Sequence, residues 1–153
     1  MARGTGGRGP VSSIVRLVGI IGGVFLAVAV VAIVLVALLI ADPSAGEVVQ
    51  AFRDEGLEAG EEQQIDRDED RSFVPKTYEE QVSFAIPSVG ERTTGRVYTF
   101  QSREDLEQVR EHYEGFEGLF PSYVYVEGNV LVQIPGGVSE EQAERYGEVL
   151  QET

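Results

Sequence analysis

Cysteine is absent from this 153-residue chain. Its absence removes disulfides, thiolate nucleophiles, cysteine metal sites and a lipid-bearing amino-terminal cysteine together, so any folded part is held by packing alone. Histidine occurs once, as His112. A zinc centre needs about three or four imidazole, thiolate or acid ligands. A catalytic histidine needs a group that orients its ring, and one helical turn before His112 stand only Gln108 and Val109. Basic residues are few as well: 12 against 26 acidic ones, a net charge of −14, with Lys76 the single lysine. A surface of that sign repels phosphate backbones, which excludes nucleic acid as a partner. Phosphate loops are missing too. SVGERTTG has neither the Lys-Ser/Thr ending of a P-loop nor a helix opening behind it, and the IPGG before the last helix needs no ligand because Ser139 already caps that start.

What the chain does have is one long run without charge, from Leu17 to Ile40. A helix of that length, at about 1.5 Å per residue, reaches roughly 36 Å and exceeds a hydrocarbon core of about 30 Å. A cleaved leader has a shorter apolar region, about 7 to 15 residues, and a small-x-small cleavage site. Cuts after Ala41 or Ala45 would put Leu39 or Pro43 where a small residue is wanted. The run therefore reads as a retained transmembrane helix over 17–41, preceded by a Gly/Arg tail over 1–16. Arg3, Arg8 and Arg16 precede it with no acid among them, and Asp42 and Glu47 follow it. By the positive-inside rule the amino end is cytoplasmic and residues 42–153 are extracytoplasmic, leaving nine basic residues against all 26 acids on the outer side. Gly19, Gly23 and Ala27 fall on one helical stripe, a small-xxx-small pattern that would let a homodimer form, although such residues are common in any membrane helix.

Beyond the run, Ser44 and Glu47 form a capping box for a helix over about 45–55, with Val48, Val49 and Phe52 on one face and a Gly56-Leu57 stop. Residues 57–80, dominated by acids and amides, read as an irregular acidic loop. Asp66, Asp68 and Asp70 alternate within it like the opening of a calcium loop, but Arg71 stands where the tight turn needs Gly and Thr77 where a closing Glu belongs, so a solvated loop is the plainer reading and a weak divalent-cation contact the alternative. VSFAIP and GRVYTF read as strands. In SREDLEQVREHYEGF the period changes to that of a helix, with Ser102 as cap, Leu106, Val109, Tyr113 and Phe116 as the buried stripe and Gly115 as the stop; it would pack over Val97, Tyr98 and Phe100. SYVYVEGNVLVQI predicts a hairpin about Gly128-Asn129 that opposes Val126 with Leu131 and Tyr125 with Val132. One hairpin face then carries Tyr123, Tyr125, Val130, Val132 and Ile134 and the other Val124, Val126 and Leu131, so both need cover. A last helix follows Ser139 and Gln142, which also read as a capping box, and buries Ala143, Tyr146, Val149 and Leu150.

The expected fold is α+β: a transmembrane helix followed by a small sandwich, an antiparallel or mixed sheet with helices mainly on one face. No catalytic, cofactor-binding or metal-ligating residue is assigned. The carboxylate pairs Glu61/Glu62, Glu79/Glu80 and Glu140/Glu141 leave a carboxylate-dependent envelope hydrolase as an alternative, since sequence does not show whether two acids face one cleft. Tyrosines 98, 113, 123, 125 and 146 read as core aromatics or, where exposed, as a ring-bearing surface for an envelope protein or glycan. Arg92, Arg96 and Arg103 flank the second strand and would pair with acids or with an anionic ligand. Integral membrane attachment and a non-enzymatic binding or accessory role are the expectation.

The segments FAIPSVGERTTGRVYTFQSREDLEQVREHY, SYVYVEGNVLVQI and EEQAERYGEVL, with EVVQAFRDEGLEA upstream, resemble an uncharacterised family of bacterial extracytoplasmic domains, membrane-anchored or lipoprotein-like, some loosely labelled stress proteins. The likeness covers most of residues 44 to 152. It implies extracytoplasmic placement and one compact domain, and brings no activity, cofactor or site residue.

Overall fold

The two-residue turn at Gly128-Asn129 sets the geometry of the sheet. Gly128 takes φ 55° while no non-glycine residue among those described has positive φ, so the turn uses one left-handed residue where two were allowed. The computed structural model describes residues 42–153; the predicted span over 17–41, with Gly19, Gly23 and Ala27, lies outside them. Strands β4 (Ser122–Glu127) and β5 (Val130–Pro135) pair antiparallel with Val126 opposite Leu131 and Tyr125 opposite Val132, as expected. Before them come β1 (Glu62–Gln64), β2 (Glu80–Ala85) and β3 (Thr94–Thr99). The sheet is antiparallel throughout and ordered β1-β2-β3-β5-β4. Among the described residues the architecture is α+β, with five strands and three helices, and no helix is long and apolar enough to cross a membrane.

Both sheet faces are covered. Helices α1 (Ala45–Asp54) and α3 (Glu140–Glu152) lie on one face. There Val48, Val49 and Phe52 of α1 meet Phe84, Val97, Val132 and Ile134, with Ala143, Tyr146 and Leu150 of α3. The Phe52 ring stands edge-on to Tyr146 at 5.0 Å between centroids, and the Tyr146 hydroxyl donates to the Glu58 carbonyl at 2.7 Å. Helix α2 (Arg103–Phe116) covers the other face, where Leu106 and Val109 pack on Tyr98, Phe100 and Leu131 together with Val74 and Tyr78 from the long acidic segment. The helices thus divide two and one between the faces. Strand alternation also moves Val97, expected beneath α2, to the opposite side from Tyr98.

Local chemistry accounts for the helix ends. The Ser44–Glu47 capping box is formed in both directions. At the other end of α1, Gly56 at φ 72° donates to Arg53 O and Leu57 to Phe52 O at 2.8 Å, the two bonds of a Schellman stop. Ser139 caps α3 by accepting from Gln142 N, but Gln142 Oε1 takes its bond from the Ser139 hydroxyl, so the expected reciprocal box is a one-sided cap. Helix α2 runs on through Gly115 to Phe116, because Gly115 is helical there and a short turn after Glu117 ends the run. Segment 57–80 is not wholly irregular: β1 adds an edge strand, its Glu62 opposite Phe84. All three β1 residues are exposed and polar, so no burial pattern announced them.

Gly147 marks where α3 approaches the sheet. A Cβ there would lie 2.5 Å from the Tyr125 ring. Alanine is about 1 kcal/mol better than glycine inside a helix, but inserting atoms into a packed contact costs about 1–3 kcal/mol. Gly147→Ala is expected to lower the stability by about 1 kcal/mol net, read as a lower urea midpoint; an unchanged or raised midpoint would show that α3 does not press on Tyr125.

Candidate functional site

Alternation on β3 sends Arg96 and Tyr98 to the α2 side, and the β5 residues opposite them, Gln133 and Leu131, go with them. Leu131 and Tyr98 lie under α2. Arg96 and Gln133 lie beyond its last apolar contacts, where the sheet is open to a groove of about 1090 Å³. Its walls are the carboxyl end of α2 with the following turn, the segment Arg71–Val74, and the chain leaving β5 at Pro135–Gly137. The rim is apolar and uncovered: Phe73 is 94% exposed, Leu119 and Phe120 each 72%, and Phe116 42%. Phe116, expected in the core stripe of α2, is instead the last residue of that helix, exposed and lining this groove. The exposed rings here are phenylalanines, while the tyrosines follow the core reading. Tyr98 and Tyr146 are buried, and Tyr123 and Tyr125 are partly buried against the α1/α3 core.

Charge in the groove runs opposite to that of the chain. Among the described residues its lining has no Asp or Glu, and its ionisable nitrogen groups are Arg71, Arg96 and His112. The Arg96 guanidinium has no ion pair among the described residues; its Nη1 donates to Tyr113 Oη at 3.5 Å. Burial works against its charge, and the neighbouring Tyr98 and Tyr113 oxygens outweigh that, so its pKa stays raised and the group is cationic. The phenol of Tyr98 is pushed well up, by burial first and then by Tyr113, whose oxygen lies 2.7 Å away. His112 packs against Phe116 at 4.8 Å between centroids, the rings tilted by 43°, and lines the groove.

One groove wall is fastened by an acid. The side chain of Asp70 is 7% exposed and pairs with Lys76. It also accepts from Ser72 N at 2.8 Å, from Ser72 Oγ at 2.7 Å and from Tyr78 Oη at 2.9 Å. Tyr78 in turn packs on Tyr98 at 5.3 Å, which connects the loop to the floor of the groove. Burial would raise the Asp70 pKa, but the Lys76, Ser72 and Tyr78 bonds together overcome it and hold the carboxyl well below the usual range. Asp66 accepts from Asp68 N at 2.8 Å, and among the described residues no three acidic or imidazole groups converge to hold a metal ion. Of the carboxylate pairs, Glu79 and Glu80 line a smaller polar pocket with Asp42 and Glu47, where Glu47 accepts from Ser44 N and Oγ at 2.8 Å and Glu79 accepts from Gln101 Nε2 at 2.5 Å. Glu62 pairs with Arg53 at 2.9 Å, and Glu80 accepts from Ala45 N at 3.1 Å. Glu140 and Glu141 sit in the first turn of α3. Arg103 pairs with Glu107 at 2.9 Å and Arg92 is exposed, so of the three arginines only Arg96 enters the groove.

No family model, curated protein or solved structure matches the chain.

Because the folded pKa of Asp70 is depressed, its contribution is fully present above the unfolded value near about 3.9 and is lost as pH falls from there toward the folded value. Asp70→Asn is expected to cost on the order of 2 kcal/mol at neutral pH. In urea titrations the gap between wild type and variant should hold from neutral pH to about pH 5 and narrow below about pH 4. A gap that is absent, or equal at every pH, would contradict this role.

Proposed function

We propose that the chain is a single-pass membrane protein, amino end in the cytoplasm, whose domain from Asp42 works on the extracytoplasmic face as a non-enzymatic binding module. The groove over Arg96 is its ligand site. The observation that carries the reading is the meeting of four exposed apolar side chains with an unpaired guanidinium in a lining without acids. Solvent-exposed apolar clusters of this kind mark binding surfaces, and a largely apolar groove with a few convergent polar groups is the usual form of a ligand site. The membrane placement rests on the uncharged run Leu17–Ile40 and on its flanks, three arginines before it and Asp42 and Glu47 after it. Binding is favoured over carboxylate hydrolysis because a hydrolase of that type needs two free acids about 5 to 10 Å apart across its cleft: the groove lining has none among the described residues, and in the smaller pocket where Asp42, Glu47, Glu79 and Glu80 gather, Glu47 and Glu80 cap the start of α1 and Glu79 holds Gln101.

Placement is tested with protease on intact cells carrying a tag after Thr153, followed by alkaline carbonate extraction of the membranes. The tag should be lost from intact cells, and uncut protein should stay in the membrane pellet at full-length mass. A tag cut only after lysis would contradict the orientation, and release of a chain beginning near Asp42 would contradict the anchor.

A further inference from the structure

The Arg96 guanidinium has five N–H donors in a planar fork, and among the described residues it meets only the two tyrosine oxygens, Tyr113 Oη at 3.5 Å and that of Tyr98, leaving most of the fork free. Tyr98 is fully buried, and the side-chain oxygen within reach of its hydroxyl is Tyr113 Oη at 2.7 Å. A buried donor is rarely left without an acceptor, which assigns the hydrogen of this bond to Tyr98. Tyr113 oxygen then accepts from both Tyr98 and Arg96, and its own hydrogen turns away from both. The groove floor thus presents two sets of donors side by side, the Arg96 fork and the Tyr113 hydroxyl, and no carboxylate competes for them.

We propose that the groove binds a single-chain anionic amphiphile, a long-chain carboxylate, with its head on Arg96 and Tyr113 and its chain along Phe116, Leu119, Phe120 and Phe73. The proposal rests on reading the groove as the binding site of the module and adds the chemistry of the ligand. A carboxylate matches the guanidinium fork in its own plane and takes two of its hydrogens at once. The acyl chain removes the exposed rings and Leu119 from water, with affinity growing as each methylene is buried. At about 1090 Å³ the space slightly exceeds the roughly 300–1,000 Å³ of small-molecule sites, enough for a head and an extended chain. A neutral hydrocarbon would leave the Arg96 charge without a partner. An acidic macromolecule would have to approach a domain in which acids outnumber bases by 26 to nine, so a small anion carried by its apolar chain suits both the field and the walls.

The test uses the full-length chain in phosphatidylcholine nanodiscs, photolabelled with a diazirine-bearing dodecanoate and, separately, with its methyl ester. Labelled peptides are mapped by mass spectrometry. The expected result is carboxylate labelling within 71–74 and 112–122, reduced about tenfold or more for the ester and for Arg96→Gln, as loss of a charge-assisted contact requires. Leu119→Ser and Phe120→Ser, both at exposed positions, should weaken labelling with an unchanged melting curve, which separates lost binding from lost folding. Equal labelling by acid and ester, or unchanged labelling of a folded Arg96→Gln, would overturn the anionic head while leaving an apolar groove as the binding site. Absence of label from both stretches would overturn the amphiphile and the groove reading together, whatever the protease result. Cross-links joining two chains through Phe116 or Phe120 would assign the groove to a second copy and overturn the proposal.

Discussion

A sheet that is apolar on both faces is the constraint from which the rest of this domain follows. Strand β5 carries Val130, Val132 and Ile134 to one side and Leu131 to the other, all buried. With no cysteine to cross-link a thinner fold, each face needs its own layer of side chains. Three helices are too few to roof both faces of five strands evenly. Two of them close one face over Phe52, Phe84 and Tyr146, and the other receives one helix and a loop.

That uneven cover is what makes the groove. Helix α2 packs through Leu106 and Val109, and its final turn runs past the covered part of the sheet, carrying Phe116 into solvent. The acidic segment completes the roof only as far as Val74 and Tyr78, where the buried Asp70 carboxylate ties it down. A chain of contacts then runs from Asp70 through Tyr78 and Tyr98 to Tyr113 and Arg96, so the element that stabilises the loop also orders the polar floor. Holding a half-buried arginine beside two tyrosines without a carboxylate gives up an ion pair that a domain so rich in acids had every opportunity to supply. A cost of that kind is usually kept where a ligand recovers it.

Much of this fold was legible because it is written in short range. The capping serines, the Gly56 stop, the hairpin register and the helical stripes all depend on residues within a few positions of one another. What was not legible depends on long-range pairing. The placement of β5 beside β3 brings Gln133 against Arg96, and nothing local in either strand announces it. Strand β1 is polar and exposed, so it carries neither alternation nor β-branched side chains and is visible only through its pairing with β2. Asp70 read as one of three alternating aspartates in a solvated loop, since its neighbours in sequence are charged while its partners are Ser72, Lys76 and the Tyr78 hydroxyl. No site residue was assigned from the sequence, and the groove gathers Arg96, His112 and Tyr113, each read there as a surface or core residue, with Phe73, Leu119 and Phe120, which drew no functional reading. An aromatic in an acidic loop and a Leu-Phe pair after a helix stop were the only signals they gave.

The central claim is that Arg96 is a cation held ready for an anion on a floor without acids. Its most direct test is the side-chain Nε–H resonance of Arg96 in the full-length protein, followed by NMR while a soluble medium-chain carboxylate is added. The account predicts a saturable shift at Arg96, with the resonance of Arg110, already paired with Glu107 and Glu114, unmoved. No shift at Arg96, or the same small drift at every arginine, would contradict it.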